Sequence, residues 1–413
     1  MARWVAFALG ALLWLLAAPT QAQPGHEYRV SLFTVSPGDA LLTRAGHAAL
    51  VVTDRWPDGR ELTTVYNYGD ADFDDPWLGV KFAWGQPRFF VSVVGDLYTA
   101  VEHYGLHQNR DVWVQDLALT PAQAEEVATR LAREVLPDNR EYDYHYLTHT
   151  CTTELRELLD DVLGGAIEAQ LGTRVDEWTV REYQQLTFDG DVVMPLLADA
   201  GFGRRHDEPI SMYFAMMWPR RMREYMQLVR VPDPTGGTAM VPLAGPPQIV
   251  AERGGPPATS SPTKLTWYVA GIGGAALLVV GFALRGRAGS RAAGAWMLAW
   301  SLPVGVVGLV ITVLSTTSAV AELHDNELVL SLLVTDLLLV PVALRWLRGR
   351  AEVPAWLHRY ALARLVVVGL AVAARGVGLF IQQPWAIPPA SLACGVGLWL
   401  VVWTPNRSRR AVR

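Results

Sequence analysis

The strongest constraint on this chain of 413 residues is the uneven placement of its apolar residues, which collect after Lys264. A helix needs about twenty consecutive apolar residues to cross the hydrocarbon core of a bilayer. We place such helices at about 265–284, 292–314, 328–344, 360–381 and 388–403. The sequence therefore predicts an all-α bundle of about five transmembrane helices, within 265–405.

The distribution of arginine predicts how this bundle is oriented. Loops 315–327 and 382–387 contain no Lys or Arg. The segments after the first, third and fifth helices are basic, with Arg285, Arg287, Arg291, Arg345, Arg348, Arg350, Arg359, Arg407, Arg409 and Arg410. Because basic loops remain in the cytoplasm, everything before the first helix is expected in the periplasm. The chain is thus predicted to be a multi-pass protein of a bacterial inner membrane.

The N-terminus supports export. Residues 1–22 have Arg3, an apolar stretch and a small-residue cleavage site at Thr20-Gln21-Ala22, which together are typical of a signal peptide. An uncleaved anchor helix is the alternative, and it also places the next segment outside. The formal net charge of −5 shows no basic stripe of the kind that nucleic acid binding requires, so no nucleic acid partner is expected.

Residues 23–230 mix alternating strand patterns with amphipathic helices, which predicts one α+β domain. The turn Trp56-Pro57-Asp58-Gly59 predicts a hairpin between the second and third strands. Helices are expected at Pro121–Leu136, capped by Thr120, and at Thr152–Leu163. Residues 231–264 are rich in Pro and Gly and predict a linker. The expected strands are Tyr28–Val35, His47–Thr53, Thr63–Tyr68, Phe89–Val94 and Asp111–Leu117.

The chain has two cysteines, Cys151 and Cys394. Cys394 lies in an apolar run, so we expect no disulfide between them. An unpaired thiol in an oxidising compartment favours a functional role for Cys151. It lies at the start of a predicted helix, where free N–H groups lower a thiol pKa and can form an oxyanion hole. A small residue buried at a helix start is the alternative.

A thiol nucleophile needs a base, usually a histidine held by a third polar group. His47 begins a predicted strand between small residues. His145 and His149 are competing bases, and together with Cys151 they also resemble metal ligands, although no fourth ligand is evident. Asn67, on the neighbouring strand, is the expected third group, with Tyr66 as the alternative.

Three motifs resemble the Lnb family of bacterial lipoprotein N-acyltransferases, over roughly residues 28–230. The order of histidine before cysteine is also similar to circularly permuted papain-like thiol enzymes, the group of lecithin retinol acyltransferase and the NlpC/P60 relatives. The motifs are Gly46-His47-Ala48-Ala49-Leu50, then Val65-Tyr66-Asn67-Tyr68-Gly69-Asp70-Ala71-Asp72-Phe73, then Cys151-Thr152-Thr153-Glu154-Leu155-Arg156-Glu157-Leu158-Leu159-Asp160.

The resemblance implies an α+β, permuted papain-like domain with Cys151 as nucleophile, His47 as base and Asn67 as orienting group. It implies that an acyl chain passes from a membrane phospholipid, through a thioester on Cys151, to the N-terminal amine of a diacylated lipoprotein, without metal or cofactor. Arg156 matches a family arginine. The family is expected to carry Asp-Asn before the cysteine, whereas this chain has His149-Thr150.

Charged residues inside the predicted bundle suggest further substrate contacts, since such charges usually face a cavity or each other. We predict a pair between Asp336 and Arg375, with Arg375 reaching a lipid phosphate. His324, Asn326 and Glu327 are candidates for the mouth of the site. The expected substrate-binding residues are Tyr66, Thr150, Arg156, Asp336, Arg375 and His324.

Two other functions fit the same residues. One is a thiol hydrolase, either a peptidoglycan amidase or endopeptidase or a phospholipase, in which water replaces the amine. Five apolar helices disfavour a cell-wall enzyme, for which one anchor is enough. The other is a non-catalytic protein that binds lipid or lipoprotein in the membrane.

Overall fold

The computed structural model describes residues 25–39, 43–85, 87–188, 193–254, 265–383 and 385–403, so the predicted signal peptide lies outside the described residues. The chain divides into two compact units. Unit 1 contains the described residues of Met1–Glu177 and Ile210–Ala258, and unit 2 those of Trp178–Pro209 and Thr259–Arg413. The predicted domain 23–230 is therefore interrupted, because residues 178–209 belong with the C-terminal helices.

Unit 1 is built on an antiparallel sheet of seven strands, in the order β6-β4-β3-β2-β1-β5-β9. A second sheet pairs β7 with β8. The five strands expected from the sequence are all present. The strands are β1 (Glu27–Val35), β2 (His47–Arg55), β3 (Glu61–Asp70), β4 (Arg88–Gly95), β5 (Val112–Asp116), β6 (Glu141–Asp143), β7 (Arg230–Pro232), β8 (Met240–Pro242) and β9 (Gln248–Ala251).

The predicted hairpin between β2 and β3 is confirmed. Its register pairs Ala49 with Asn67 and Leu50 with Tyr66. Gly59 in the turn has a φ of +85°, a left-handed conformation that glycine adopts without strain. Because side chains alternate along a strand, this register decides which residues of β3 share a face with His47.

The described helices occur in both units. Both helix starts predicted in unit 1 are present, since Thr120 and Thr150 each accept a hydrogen bond at the helix N-terminus as part of a capping box. The helices are α1 (Leu78–Trp84), α2 (Leu97–Val101), α3 (Pro121–Glu134), α4 (Cys151–Val162), α5 (Ala166–Leu171), α6 (Val180–Thr187), α7 (Val193–Gly201), α8 (Met212–Ala215), α9 (Pro219–Tyr225), α10 (Leu265–Ala283), α11 (Arg291–Thr317), α12 (Leu339–Leu347), α13 (Ala355–Gly376) and α14 (Ile387–Trp403).

The segment 231–264 differs from the predicted linker. Its described part contains β8 and β9, and β9 extends the main sheet by pairing with β5, with Gln248 opposite Val114. These strands are short and mostly exposed, so they carry little apolar alternation of their own. Their order comes from backbone pairing with a partner distant in the sequence, which local patterns do not reveal.

In unit 2, three described helices are long and apolar enough to cross a membrane by length and composition: α10, α11 and α13. A fourth candidate is the pair of segments Ala321–Leu330 and Val334–Leu347, which are bent by 55° relative to each other. Helix α14 is apolar but has 17 residues. The structure thus supports three to four spans by this measure, where five were predicted.

The predicted helix 328–344 is broken. Two 3₁₀ segments, Glu327–Leu330 and Val334–Leu338, precede α12. The break is tolerated because a freed backbone carbonyl finds a partner: Ser391 donates a hydrogen bond to the carbonyl of Ser331. Gly308 of α11 permits close approach, since a Cβ there would lie 2.1 Å from the Leu332 carbonyl oxygen.

Residues 178–209 join unit 2 through buried polar contacts. The amide of Asn326 donates to the carbonyls of Ala200 and Gly201, at 2.8 and 2.9 Å. The hydroxyl of Thr266 donates to Asp199 at 2.5 Å. Because these bonds join residues far apart in sequence, the domain boundary was not visible in local composition.

Candidate active site

A cavity of about 1030 Å³ in unit 1 brings the three predicted catalytic residues together. His47 contributes from the start of β2, Asn67 from β3, and Cys151 from the start of α4. Thr150 also lines the cavity while it caps the helix. The other lining residues include Gly46, Gly69, Phe73, Phe82, Phe89, Ser92, His103, Tyr104, Arg110, Tyr144, Met217 and Trp218.

Cys151 is the first residue of α4, directly against the central strands. The backbone N–H groups of Ala48 and Thr152 donate hydrogen bonds to its sulfur. Gly69 passes close to the thiol, since a Cβ there would lie 3.5 Å from the Cys151 Cβ. Because the N–H of Ala48 bonds to the sulfur, Cys151 lies beside the residue that follows His47. Cys151 and His47 are about a hundred positions apart in the sequence.

The Cys151 thiol does not have the lowered pKa that its helix position predicts. Burial raises the pKa above its ordinary value, and this outweighs the N–H groups of Ala48 and Thr152 and the nearby Arg110, which act in the opposite direction. The side chain keeps partial exposure, but towards a cavity walled by protein. The expectation of a resting thiolate was therefore wrong, and at neutral pH Cys151 is a protonated thiol.

His47 is placed by the residue before it. Gly46 has a φ of +91°, and a Cβ there would lie only 2.9 Å from the carbonyl oxygen of Val35. Glycine is therefore required at this turn into β2. The imidazole packs against Tyr104, with ring centroids 5.5 Å apart.

Asn67 holds His47 in one orientation. Its Oδ1 forms a short hydrogen bond with Nε2 of the imidazole, and its Nδ2 donates to the Ser92 hydroxyl at 3.4 Å. With the amide oxygen directed at the ring, Nε2 carries the proton and Nδ1 is the basic nitrogen. Neutral His47 therefore has a free basic nitrogen, as a general base requires.

The environment keeps His47 neutral. Burial lowers its pKa to about 4, and the positive charge of Arg110 contributes in the same direction. Protonation would place a second cation in a poorly solvated cavity, which is costly. The resting pair is thus a neutral thiol and a neutral imidazole.

The pH dependence of any reaction at this pair follows from these values. Only the unprotonated imidazole accepts a proton from the thiol, so the acidic limb of the rate profile is expected near a pKa of about 4. An ordinary histidine would place that limb near pH 6.5. Acylation rates measured at constant ionic strength should thus stay level down to about pH 5. A rate that halves near pH 6.5 would contradict a neutral, buried His47.

Several predicted residues do not line this cavity. Tyr66 is on the opposite face of β3 from Asn67. Arg156 is buried, donates to the carbonyl of Tyr213 at 2.8 Å and lies over that ring, so it packs the helix rather than the cavity. The competing bases His145 and His149 pair with each other through their backbones and are not among the lining residues.

The charged residues of unit 2 are arranged differently from the prediction. Asp336 pairs with Arg364 through two hydrogen bonds of 2.8 and 3.0 Å, not with Arg375. The prediction assumed one continuous helix over 328–344, which is wrong because Val334–Leu338 is a 3₁₀ segment after a break. Arg375 lies over Trp385 at 5.1 Å, and its buried Nε and Nη2 have no hydrogen-bond partner among the described residues.

The outer-loop candidates of unit 2 serve different purposes. Asn326 and Glu327 line a cavity of about 850 Å³ together with Arg204. His324 is not among its lining residues; its Nε2 bonds to the Ser318 carbonyl at 2.9 Å, which closes a loop.

Sequence reasoning missed Arg110, Tyr104 and the aromatic wall of the active-site cavity. Arg110 lies two residues before β5, and its charge close to the start of a strand was the only local signal. The aromatic wall contains Phe73, Phe82, Phe89 and Tyr144, which come from separate segments and meet only in the fold.

Comparison with known proteins gives a match to the part of the chain that contains this cavity. Residues 17–185 match the family model of the Lnb N-terminal periplasmic domain, a range that includes His47, Asn67 and Cys151. No curated protein and no solved structure gives a significant match. Residues 17–185, less than half of the chain, are thus similar to the Lnb N-terminal periplasmic domain.

Proposed function

We propose that the protein is a cysteine-dependent N-acyltransferase, which moves an acyl chain from a membrane phospholipid to the N-terminal amine of diacylated lipoproteins. The observation that carries the proposal is the shared cavity of Cys151, His47 and Asn67, in a domain of the Lnb type. The remaining features support a lipid substrate and a two-step route.

In the first step, Nδ1 of His47 takes the thiol proton as the sulfur of Cys151 attacks the ester carbonyl carbon. The carbonyl oxygen gains negative charge, and its proposed donors are the N–H groups at the start of α4 and of Ala48, which bond to the sulfur in the resting site. The bond from the carbonyl carbon to the ester oxygen then breaks. His47 returns its proton to that oxygen, so that the lysophospholipid leaves as an alcohol and a thioester remains.

In the second step, the lipoprotein α-amine attacks the thioester carbonyl and passes a proton to His47. The carbon–sulfur bond breaks, an amide forms, and the sulfur recovers the proton from His47. Water must be excluded from the site for aminolysis to predominate, because water would hydrolyse the same thioester. The aromatic wall beside Cys151 favours such exclusion.

A lipid substrate is supported by exposed apolar side chains near the cavity. Helix α1 has no buried residue, yet it and its flank contain Val80, Trp84 and Trp77. Phe73, which lines the cavity, is also 54% exposed. Apolar and indole groups of this kind favour a membrane interface, whereas a cell-wall substrate would be polar.

The family match and three to four candidate spans fit a membrane protein with a periplasmic N-terminal domain. Beyond this, we propose the inner membrane, with the bent segments and α14 as the two further spans of a five-span bundle. For unit 1 we propose a permuted papain-like fold, in which the base precedes the nucleophile in the chain. Both substrates then have their acyl chains in the bilayer.

The function is tested in cells that lack their own lipoprotein N-acyltransferase. After expression of the full chain, lipoprotein N-termini are weighed by mass spectrometry. A third acyl chain on the N-terminal cysteine is the expected result. Free fatty acid and lysophospholipid without triacylated product, from a well-expressed protein, would instead indicate a phospholipase.

Arg375 stays a predicted contact for a lipid phosphate in unit 2. Its Nε and Nη2 lack partners among the described residues, and a phosphate would supply acceptors. We expect Arg375→Leu to lower activity in membranes about tenfold or more, by loss of charged hydrogen bonds. Arg359→Leu, at an exposed position of α13, is the matched control. Full activity of Arg375→Leu in membranes would contradict a contact between Arg375 and a lipid phosphate.

A further inference from the structure

We propose that the active-site cavity contains a phosphate-binding subsite at Arg110, which holds the headgroup phosphate of the acyl donor. The aromatic wall, on the other side of the thiol, then receives the acyl chain. This inference rests on the proposed function and adds the chemical class of donor and its direction in the site.

Arg110 is a buried cation with an unused donor. It is 1% exposed and lines the cavity. Its Nε donates to the carbonyl of Ser36 at 2.7 Å and its Nη1 to the side chain of Gln108 at 2.9 Å. Its Nη2 has no hydrogen-bond partner among the described residues. Arginine is rarely buried without an acidic partner, so a buried guanidinium with a spare N–H indicates an anionic ligand.

The groups around Arg110 suit an oxyanion. The guanidinium lies 5.7 Å from the ring of Tyr104, and burial raises the pKa of that phenol to about 12, so its hydroxyl remains a donor. His103 and Thr43 line the same cavity. Asp70 also lines it and its charge contributes to the raised pKa of Tyr104, but it forms no ion pair with Arg110 among the described residues, and its Oδ1 accepts from the N–H of Ala71 at 3.0 Å.

The strand order places the cation and the aromatic wall on opposite sides of the catalytic pair. In the order β4-β3-β2-β1-β5, Phe89 is on β4, His47 on β2, and Arg110 lies two residues before β5. Adjacent strands lie about 4.8 Å apart, so each end is about two strands, or roughly 10 Å, from His47.

The aromatic end forms a continuous apolar surface. Phe89 stacks on Tyr144 with ring centroids 4.1 Å apart, and Phe82 and Phe73 contact Phe89 edge-on at 5.9 and 6.3 Å. In a phospholipid the acyl chain and the phosphate extend in different directions from the ester. A cavity with an apolar end, a central thiol and a cationic end matches that order of groups.

The test compares two donors with identical acyl chains on the full wild-type protein: phosphatidylglycerol and diacylglycerol, which has the ester but no phosphate. Thioester formation on Cys151 is followed by intact-protein mass spectrometry. We expect phosphatidylglycerol to be preferred at least tenfold in kcat/KM. Equal use of both donors would overturn the subsite, whereas no thioester from either donor would overturn the proposed acyltransferase itself.

Variants then assign the preference to Arg110. Arg110→Gln should lower the ratio of phosphatidylglycerol to diacylglycerol rates at least tenfold, while Arg110→Lys should retain most of it. A role confined to the electrostatics of Cys151 would lower both rates and leave the ratio unchanged, which would contradict the proposal. Arg110 also bonds to the backbone of Ser36, so thermal unfolding is measured for each variant to check that it folds. If Arg110→Gln does not fold, the comparison of the two donors on the wild type decides for or against the subsite.

Inorganic phosphate distinguishes a lipid phosphate from a free anion. As a competitor it should slow the phosphatidylglycerol reaction of the wild type and not that of Arg110→Gln. If inorganic phosphate instead raised the diacylglycerol rate to that of phosphatidylglycerol, the natural ligand would be a free anion, and the lipid assignment would be wrong.

Discussion

Cys151→Ala is expected to abolish lipoprotein N-acylation, with a loss of about 10³-fold or more, because Cys151 supplies the only thiol among the described residues that line the cavity. The measurement is the fraction of triacylated N-termini in cells without their own N-acyltransferase. Expression level and detergent extraction must match those of the wild type.

The second cysteine provides a matched control for this variant. Cys394 is buried in unit 2 and lies outside the active-site cavity. Cys394→Ala removes a thiol of the same chain and should retain activity. Triacylated product at wild-type level from Cys151→Ala would exclude a thioester route and with it the proposed mechanism.

His47→Gln is expected to lower kcat by roughly 10² to 10⁴, the usual contribution of a positioned general base. The side chain is kept polar and of similar size, so the effect should fall on thioester formation rather than on expression. Single-turnover release of lysophospholipid measures that step directly.

His149→Gln is the control for the base, since His149 is two residues from Cys151 but exposed and bonded to Glu154 at 2.9 Å. A change within roughly twofold is expected for such a surface position. If His149→Gln lost activity and His47→Gln did not, the base would have to be reassigned.

The neutral resting pair has a practical consequence for thiol labelling. A thiol with a raised pKa reacts slowly with iodoacetamide at neutral pH, because the thiolate is the nucleophile. Slow labelling of Cys151 therefore agrees with this active site and is no sign of a silent protein. Activation occurs when His47 takes the proton during the attack on the substrate.

Local sequence patterns were enough to predict the strands, the turn and the helix starts that position the candidate active site. The alternation of β1 to β5, the turn at Gly59 and the caps at Thr120 and Thr150 depend on neighbours in the sequence, and all are present. The strand period of two separates Asn67 from Tyr66, but only the register of β3 on β2 puts Asn67 on the face of His47. The meeting of His47 and Cys151 was expected from the family resemblance and not from any local pattern.

Only the tertiary structure decided the pKa values, the ion-pair partners and the long-range contacts, because these depend on what surrounds a group in the folded protein. The helix start predicted a lowered pKa for Cys151, but burial among distant segments reversed the direction. Arg364 replaced Arg375 as the partner of Asp336, since Asp336 lies in a 3₁₀ segment and not in a continuous helix. Strand β9, residues 178–209 and the buried Arg110 acquired their places through contacts between residues far apart in sequence. Solvation and pairing belong to the folded arrangement, whereas periodicity, turns and caps belong to the chain itself.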